Sequence, residues 1–154
     1  MKRILVALDD PSINPVIFDQ ALTIARAISA QLMVLHVGYE DEDRKKQQQW
    51  KADQMEWETR LRSYVSQAEA AGIKAESTQS YGNPGYVICD WAWTWDADLI
   101  VLGRHGQTHV PGWISGSVST YVSQHAPCSV MMVSPQRKSN SAQSPHKIVV
   151  EGVS

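Results

Sequence analysis

The chain has 154 residues, 14 of them basic and 16 acidic, which gives a formal net charge of −2 at pH 7. This length predicts a single domain with its own core, and the balanced charge argues against nucleic-acid binding, which needs a concentrated positive surface. No apolar run approaches the ~20 residues of a membrane span, and the first run, residues 4–8, is too short for a signal peptide. Cys89 and Cys128 fit no metal-binding or redox spacing, so we expect two small buried residues in a soluble, cytoplasmic protein.

Apolar runs rich in Val, Ile and Leu alternate with helical patterns, which is typical of βα units on a mostly parallel sheet. The first run, residues 3–8, predicts a strand. Apolar residues then recur at steps of three and four between Val16 and Ile28, which predicts a helix packed on the sheet. Residues 31–37 form the second apolar run and predict the second strand.

A long polar segment separates the second strand from the third. Its apolar residues share one stripe from Trp50 to Ala68, which predicts an amphipathic helix, and Gly72 is typical of a helix end. Residues 73–80 predict a third, weaker strand.

The remaining elements complete a five-stranded pattern. A third helix is predicted over residues 87–95, with Pro84 at a position that a helix start tolerates. Strands are predicted at residues 99–102 and 129–133. We therefore expect one α/β domain, an open five-stranded and mostly parallel sheet with helices on both faces. We adopt the strand order 3-2-1-4-5, which the residues alone do not determine.

Several conspicuous aromatic and imidazole side chains have simple structural interpretations. His36 falls within an apolar strand, so we expect a hydrogen-bonded core imidazole rather than a catalytic base. His125 is expected at a helix C-terminus, where a partial positive charge is favourable. Trp91 and Trp95 share one face of the third helix while Trp93 points elsewhere, so the three indoles cannot all pack on the sheet.

A glycine-rich segment directly after the fourth predicted strand is the most informative feature of the chain. It reads Gly-Arg-His-Gly at residues 103–106, and Gly-Ser follows at residues 116–117. Glycine lets a backbone approach an anion, and the N–H groups at a helix start attract phosphate. In the adopted strand order a crevice opens between the first and fourth strands. The loop would then face Asp9 and Asp10, with residues 36–38 at the side.

Short segments at residues 4–9, 35–37, 82–84 and 97–103 accompany this loop. Within it Gly103, Gly106, Gly116 and Ser117 fit the spacing of a Gly, two residues, a Gly, nine residues and a Gly-Ser pair. With that motif between a predicted strand and a predicted helix, the chain resembles the universal stress protein family, and in particular its nucleotide-binding branch. The likeness covers residues 1–134, which we take as the domain. Residues 135–154 are predicted to form a tail that is flexible or docks as an extra strand.

The resemblance implies a homodimer that binds ATP or a related adenine nucleotide such as AMP. The last strand, Ser129–Val133, would pair with the partner's copy, which would also cover an apolar edge. By the same resemblance Ala7, Asp9 and Val37 would line the adenine and ribose, and Gly103 would lie against the ribose. The phosphates would be wrapped by N–H and hydroxyl groups of Gly106, Gly116, Ser117, Val118 and Ser119. The residues assigned to the whole site are Ala7, Leu8, Asp9, Val37, Leu102, Gly103, His105, Gly106, Gly116, Ser117, Val118 and Ser119.

Two departures from the family pattern leave the bound form open. Between the halves of the motif only Arg104, His105 and His109 can bring positive charge near the phosphates. Asp10 adds a second carboxylate after the first strand, which would repel phosphate unless Mg²⁺ lay between them. AMP without metal and Mg-ATP therefore both remain open.

The residues that accelerate phosphoryl transfer are not evident in this sequence. We find no Ser/His/Asp or Cys/His arrangement and no lysine of the Walker type after the glycines. We therefore expect a binding module for stress response or signalling. Two alternatives stay open: a slow Mg-dependent ATPase that uses Asp9 or Asp10, and a dimeric scaffold without nucleotide.

Overall fold

The computed structural model describes residues 1–38, 47–104 and 116–134. Within them, strands and helices alternate as β1 (Arg3–Ala7), α1 (Asn14–Ile28), β2 (Gln31–Gly38), α2 (Gln47–Ala70), β3 (Ala75–Tyr81), α3 (Pro84–Trp95), β4 (Leu99–Gly103), α4 (Ser117–His125) and β5 (Ser129–Val133). The strands form one sheet in the order β3-β2-β1-β4-β5, and every neighbouring pair is parallel. The predicted fold class and the adopted strand order are therefore confirmed.

A hydrophobic core covers each face of the sheet, as parallel strands require. Ile4 and Val6 of β1 pack in the core beneath α1 and α2, whereas Leu5 and Ala7 pack beneath α3 and α4. All four side chains are completely buried. The prediction of helices on both faces is confirmed, and the alternation along β1 explains it.

The end of α2 corrects the predicted start of the third strand. Gly72 has a positive φ of 82°, and its N–H donates to the Glu69 carbonyl oxygen at 2.9 Å. The N–H of Ile73 donates to the Ala68 carbonyl oxygen at 2.9 Å. This pair of bonds is a Schellman motif, so Gly72 ends the helix as predicted. Ile73 belongs to that motif, and the strand begins only at Ala75.

The third helix begins at Pro84, three residues before the predicted start. The Asn83 side chain caps it by accepting the Tyr86 N–H at 3.3 Å, a side-chain cap that the apolar pattern does not reveal. Gly85 in the first turn allows α3 to approach α4, because a Cβ there would lie 2.9 Å from Cδ1 of Tyr121. The other strand bounds agree with the prediction to within one residue, and those of β5 agree fully.

His36 is a core residue, as predicted. It is 6% exposed, its Nδ1–H donates to the Leu8 carbonyl oxygen at 2.9 Å, and its ring stacks on Trp57 with centroids 3.6 Å apart. Burial lowers the pKa of His36 from 6.5 to about 4, although the bond to Leu8 opposes this shift and Arg60 adds to it. The imidazole is therefore neutral at physiological pH.

The three tryptophans of α3 divide as predicted. Trp91 and Trp95 pack against the core, and the indole N–H of Trp91 donates to Ser80 Oγ at 2.8 Å. Trp93 is 72% exposed. His125 is the last residue of α4, also as predicted.

The two cysteines are half-buried rather than fully buried, and they are not bonded to each other. Burial raises the pKa of the Cys89 thiol, and it is also the main cause that raises the pKa of Cys128. In the described ranges, no helix combines the length and the apolar character that crossing a bilayer demands.

Candidate functional site

The crevice predicted from the strand order lies between the ends of β1 and β4. These strands are neighbours, with Ala7 of β1 opposite Leu102 of β4, and the chain leaves them toward opposite faces of the sheet. Ligands in open α/β sheets bind where the strand order reverses in this way. Asp9 follows one strand and Gly103 ends the other, while Val37 lies near the end of β2 on the far side of β1.

The strand ends that would form the floor of the predicted crevice are apolar and buried. The side chains of Ala7, Leu8 and Leu102 are completely buried. The Leu8 N–H donates to the Leu35 carbonyl oxygen at 2.9 Å, and the Leu8 carbonyl oxygen accepts from His36. Both main-chain polar groups of Leu8 are thus used within the fold, and its side chain has no exposed surface to offer a ligand.

The turn between β1 and α1 separates two adjacent carboxylates. The Asp9 N–H donates to Asn14 Oδ1 at 3.1 Å, and the Asp9 side chain is only partly buried. Asp10 is 8% exposed, and its Oδ1 accepts from the N–H and the hydroxyl of Ser12 at 2.9 and 2.8 Å. Asp10 therefore belongs to the start of α1, and only the Asp9 carboxylate retains appreciable exposure.

Gly103 allows α1 to lie close to the end of β4. A Cβ at this position would lie 2.8 Å from Cδ1 of Ile17 and 3.0 Å from Cδ1 of Ile13. Both distances are shorter than ordinary carbon–carbon contact. A side chain here would have to displace the ends of both isoleucines, so packing favours a glycine whatever the crevice binds. The next residue, Arg104, has an exposed side chain, and its N–H donates to the Val133 carbonyl oxygen at 2.8 Å.

Gly116 shapes the start of α4 through its backbone. It is the N-cap residue, with a φ of 73° and a ψ of −4°, in the left-handed region that favours glycine. Its carbonyl oxygen accepts from the Thr120 N–H at 2.9 Å and from the Ser119 hydroxyl at 3.2 Å. Val118 and Ser119 are buried, whereas Ser117 is exposed. The first turn of a helix directs N–H groups outward, so this end can receive an anion.

Comparison with known proteins agrees with this architecture. The model of the universal stress protein family matches residues 1–134. The chain belongs to the universal stress protein family. Universal stress protein Sll1388 of Synechocystis sp. is 32% identical to it over 151 residues, a match that covers 85% of this chain and 96% of the relative.

Solved universal stress proteins share the fold. UspA from Lactobacillus plantarum is 28% identical, with a TM-score of 0.74 over 86% of this chain and 97% of its own. A universal stress protein in complex with cAMP is 26% identical, with a TM-score of 0.67 over 86% of this chain and 96% of its own.

Part of the universal stress protein motif lies outside the described residues. His105 and Gly106, both assigned to the site from the sequence, fall there, as do His109 and the tail over residues 135–154. The described residues contain no group of three His, Cys, Asp or Glu side chains placed to hold a metal. A Mg²⁺ ion between Asp9 or Asp10 and phosphate oxygens stays a prediction.

Sequence reasoning missed Asn14, which fixes the backbone of Asp9 although it does not belong to the motif. Asn14 is 1% exposed and occupies the first position of α1, directly before Pro15. An Asn-Pro pair after a strand is a recognisable helix start, and that signal could have drawn attention to it. The pattern does not show which backbone group the amide side chain holds.

Proposed function

We propose that this universal stress protein binds an adenine nucleotide in the crevice between β1, β4 and the start of α4. The observation that carries the proposal is the left-handed turn at Gly116, directly before the first turn of α4. Backbone N–H groups in such a turn, together with a helix N-terminus, form an anion-binding concavity that needs no lysine or arginine.

The phosphates are proposed to meet the main chain at the start of α4, and the nucleoside to lie toward β1 and β2. Asp9 supplies a carboxylate that can accept hydrogen bonds from ribose hydroxyls or from the adenine amino group. The buried apolar residues at the strand ends hold these groups in place beneath the base. The proposed set is Ala7, Leu8, Asp9, Val37, Leu102, Gly103, His105, Gly106, Gly116, Ser117, Val118 and Ser119.

A bound relative supports the choice of adenine. The universal stress protein solved in complex with cAMP is 26% identical to this chain and covers most of it. Which adenine nucleotide is held, ATP, ADP or AMP, and whether Mg²⁺ accompanies it, are left to experiment. The proposed role is that of a cytoplasmic stress-response or signalling module whose nucleotide stabilises the folded state.

A homodimer through β5 is the second part of the proposal. In the described part of the sheet β5 is an edge strand that has β4 on one side, and Met132 on it is 44% exposed. Pairing with a second copy would remove this edge. Light scattering should give the mass of two chains for the wild type and the mass of one chain for Met132→Lys. Trp93→Lys, a control at an exposed residue of α3, should remain dimeric, and a monomeric wild type would refute this part.

Two measurements test the nucleotide proposal. Freshly purified protein is denatured, and released nucleotides are identified by mass spectrometry. AMP, ADP and ATP are then titrated calorimetrically into Gly116→Val and into Gly72→Val, which places the same side chain at a positive φ with nothing within 4 Å. We expect Gly116→Val to lose at least about tenfold in affinity, or 1.4 kcal/mol, and Gly72→Val to bind like the wild type. Equal affinities, or no binding by the wild type, would contradict the proposal.

Turnover distinguishes a binding module from an ATPase. Steady-state phosphate release from Mg-ATP is expected at background for the wild type and for Asp10→Ala alike. Release by the wild type that Asp10→Ala abolishes would instead support the ATPase alternative. A protein that carries no nucleotide and gains no thermal stability from AMP, ADP or ATP would support the scaffold.

A further inference from the structure

A pocket of about 240 Å³ opens between the start of α1 and the second half of α2. Residues of the first connection and of α1 form one wall, and residues of α2 form the other. No residue of the proposed nucleotide site lines this pocket. Its volume is below the ~300–1,000 Å³ of sites for drug-sized ligands, so it suits a small metabolite.

Asn14 lines this pocket and carries an unpaired donor. The side chain is 1% exposed and is among the lining residues. Its Oδ1 accepts from the Asp9 N–H, but its Nδ2 is buried without any hydrogen-bond partner. Burying an amide N–H unpaired costs free energy, and a small shift of this side chain toward a ligand oxygen would recover it.

Charges of opposite sign flank the pocket on its two walls. Asp19 of α1 and Arg60 of α2 both line it. Tyr64 also lines the pocket: burial raises its pKa, Arg60 lowers it and Asp19 raises it, so both charges act on the phenol. A lone anion would be repelled by Asp19, and a lone cation by Arg60.

Arg60 retains capacity for a ligand. One of its nitrogens, Nη2, lies 2.5 Å from Glu56 Oε1, and the guanidinium lies 5.4 Å from the centroid of the Trp57 ring. A guanidinium carries five N–H donors, and an exposed ion pair one helical turn apart is weak. A ligand carboxylate can therefore share this group or replace Glu56.

Apolar rings complete the lining. Pro11 and Pro15 contribute pyrrolidine rings, and Tyr64 contributes an aromatic ring that packs on Phe18 with centroids 4.6 Å apart. These surfaces can cover an uncharged side chain of the ligand.

We propose that this pocket binds a free α-amino acid as a zwitterion. Its carboxylate meets Arg60 and Nδ2 of Asn14, its ammonium group faces Asp19, and its side chain lies against the proline and tyrosine rings. The inference does not rest on the nucleotide site. Because Asn14 also holds the Asp9 N–H, an occupied pocket would stabilise the turn between β1 and α1.

Calorimetric titration with L-leucine and L-glutamine tests the ligand class. At least one should bind saturably. For leucine, the matched half-ligands are isocaproate, which lacks the ammonium group, and isoamylamine, which lacks the carboxylate. Each should bind at least about tenfold more weakly than the amino acid. Absence of binding by both amino acids, or equal binding by a half-ligand, would overturn the proposal.

Variants of the pocket residues test where the amino acid binds. Arg60→Gln should lose at least about tenfold in affinity. Arg62→Gln is the matched control, since Arg62 pairs with Glu58 at 2.6 Å on the same helix but is 75% exposed and outside the pocket. Asn14→Asp keeps the oxygen that holds Asp9 and removes the donor, so it too should weaken binding. If Asn14→Asp fails to fold, the arginine pair decides, and equal affinities in that pair would overturn the proposal.

Hydrogen exchange gives an independent readout. Binding of the amino acid should slow exchange of the Asp9 amide in the wild type, because that N–H depends on Asn14. Slowing is not expected in Arg60→Gln at the same ligand concentration. An Asp9 amide whose exchange rate is unchanged in a saturated wild type would contradict the described pocket.

Discussion

The end of β4 and the start of α4 each carry a glycine of the same motif, but for different physical reasons. At Gly103 the missing side chain makes room for Ile17 of α1, 2.8 Å from where a Cβ would lie. At Gly116 the backbone is left-handed, with a φ of 73°. The first glycine serves packing on the α1 side, and the second shapes a turn on the α4 side. The presence of glycine at a motif position therefore does not reveal whether its small size or its backbone freedom is needed there.

The same contrast extends to the polar groups around the crevice. On the side of α1 and α2 the fold buries His36, Asn14 and Asp10, so changes there should act on stability. On the side of α4, Gly116 and the exposed Ser117 are where changes should act on ligand affinity. The variants below separate these two effects.

Acid should have the largest effect on stability, because it acts on a buried group on the side of the sheet that α1 and α2 cover. The pKa of His36 is about 4 in the folded state, against 6.5 for an imidazole in the unfolded chain. As pH falls, the unfolded chain therefore takes up the proton first. The free energy of unfolding should therefore drop by about 3 kcal/mol in all as pH falls from above 6.5 to below 4, and the loss from this group should level off below pH 4. Urea unfolding of the wild type and of His36→Gln across this range measures it. An equal drop in both proteins would refute the assignment to His36.

Gly103→Ala should sharpen the contrast between the two glycines. The new Cβ must displace the ends of Ile17 and Ile13, so we expect a loss of about 1–2 kcal/mol in the free energy of unfolding. Nucleotide affinity should change less than it does in Gly116→Val, because the methyl group points toward α1. Chemical denaturation and calorimetry measure the two quantities.

Ile17→Val supplies the control for that substitution, since it removes the Cδ1 atom nearest to the new methyl group. The double variant Gly103→Ala with Ile17→Val should lose less free energy of unfolding than the sum of the losses in the two single variants, because the two positions are in contact. Strict additivity would mean that the close approach is not what Gly103 accommodates.

Arg104→Gln should give the smallest effect. The side chain is exposed and follows Gly103 of the proposed site, so its attraction for a nucleotide is screened by water and salt. We expect a loss below about 1 kcal/mol in nucleotide binding, and one that shrinks as salt is added. A larger, salt-independent loss would show that Arg104 contacts the ligand directly.

Elements set by local patterns were predictable from the sequence. The Val-rich and Leu-rich runs gave the strands, and β5 has the predicted bounds. Gly72 ends α2 as predicted, because left-handed helix ends strongly favour glycine. The early start of α3 was missed, since the cap by Asn83 depends on one side-chain bond rather than on periodicity.

Contacts between distant segments were not predictable. The approach of Ile17 to Gly103 depends on how α1 lies across the sheet. The pocket between α1 and α2 likewise exists only once Asp19 and Arg60 lie on facing helices. Sequence periodicity fixes which face of a helix is buried but not these pairings.

The most direct test of the nucleotide proposal is a map of backbone amide chemical shifts as AMP is titrated into the protein. We predict that the amides of Asp9, Gly103 and residues 116–119 shift together and saturate at one affinity, while those near Tyr64 and Arg60 respond much less. Shifts confined to other surfaces, or none at saturating AMP, would contradict a nucleotide site at the junction of β1, β4 and α4.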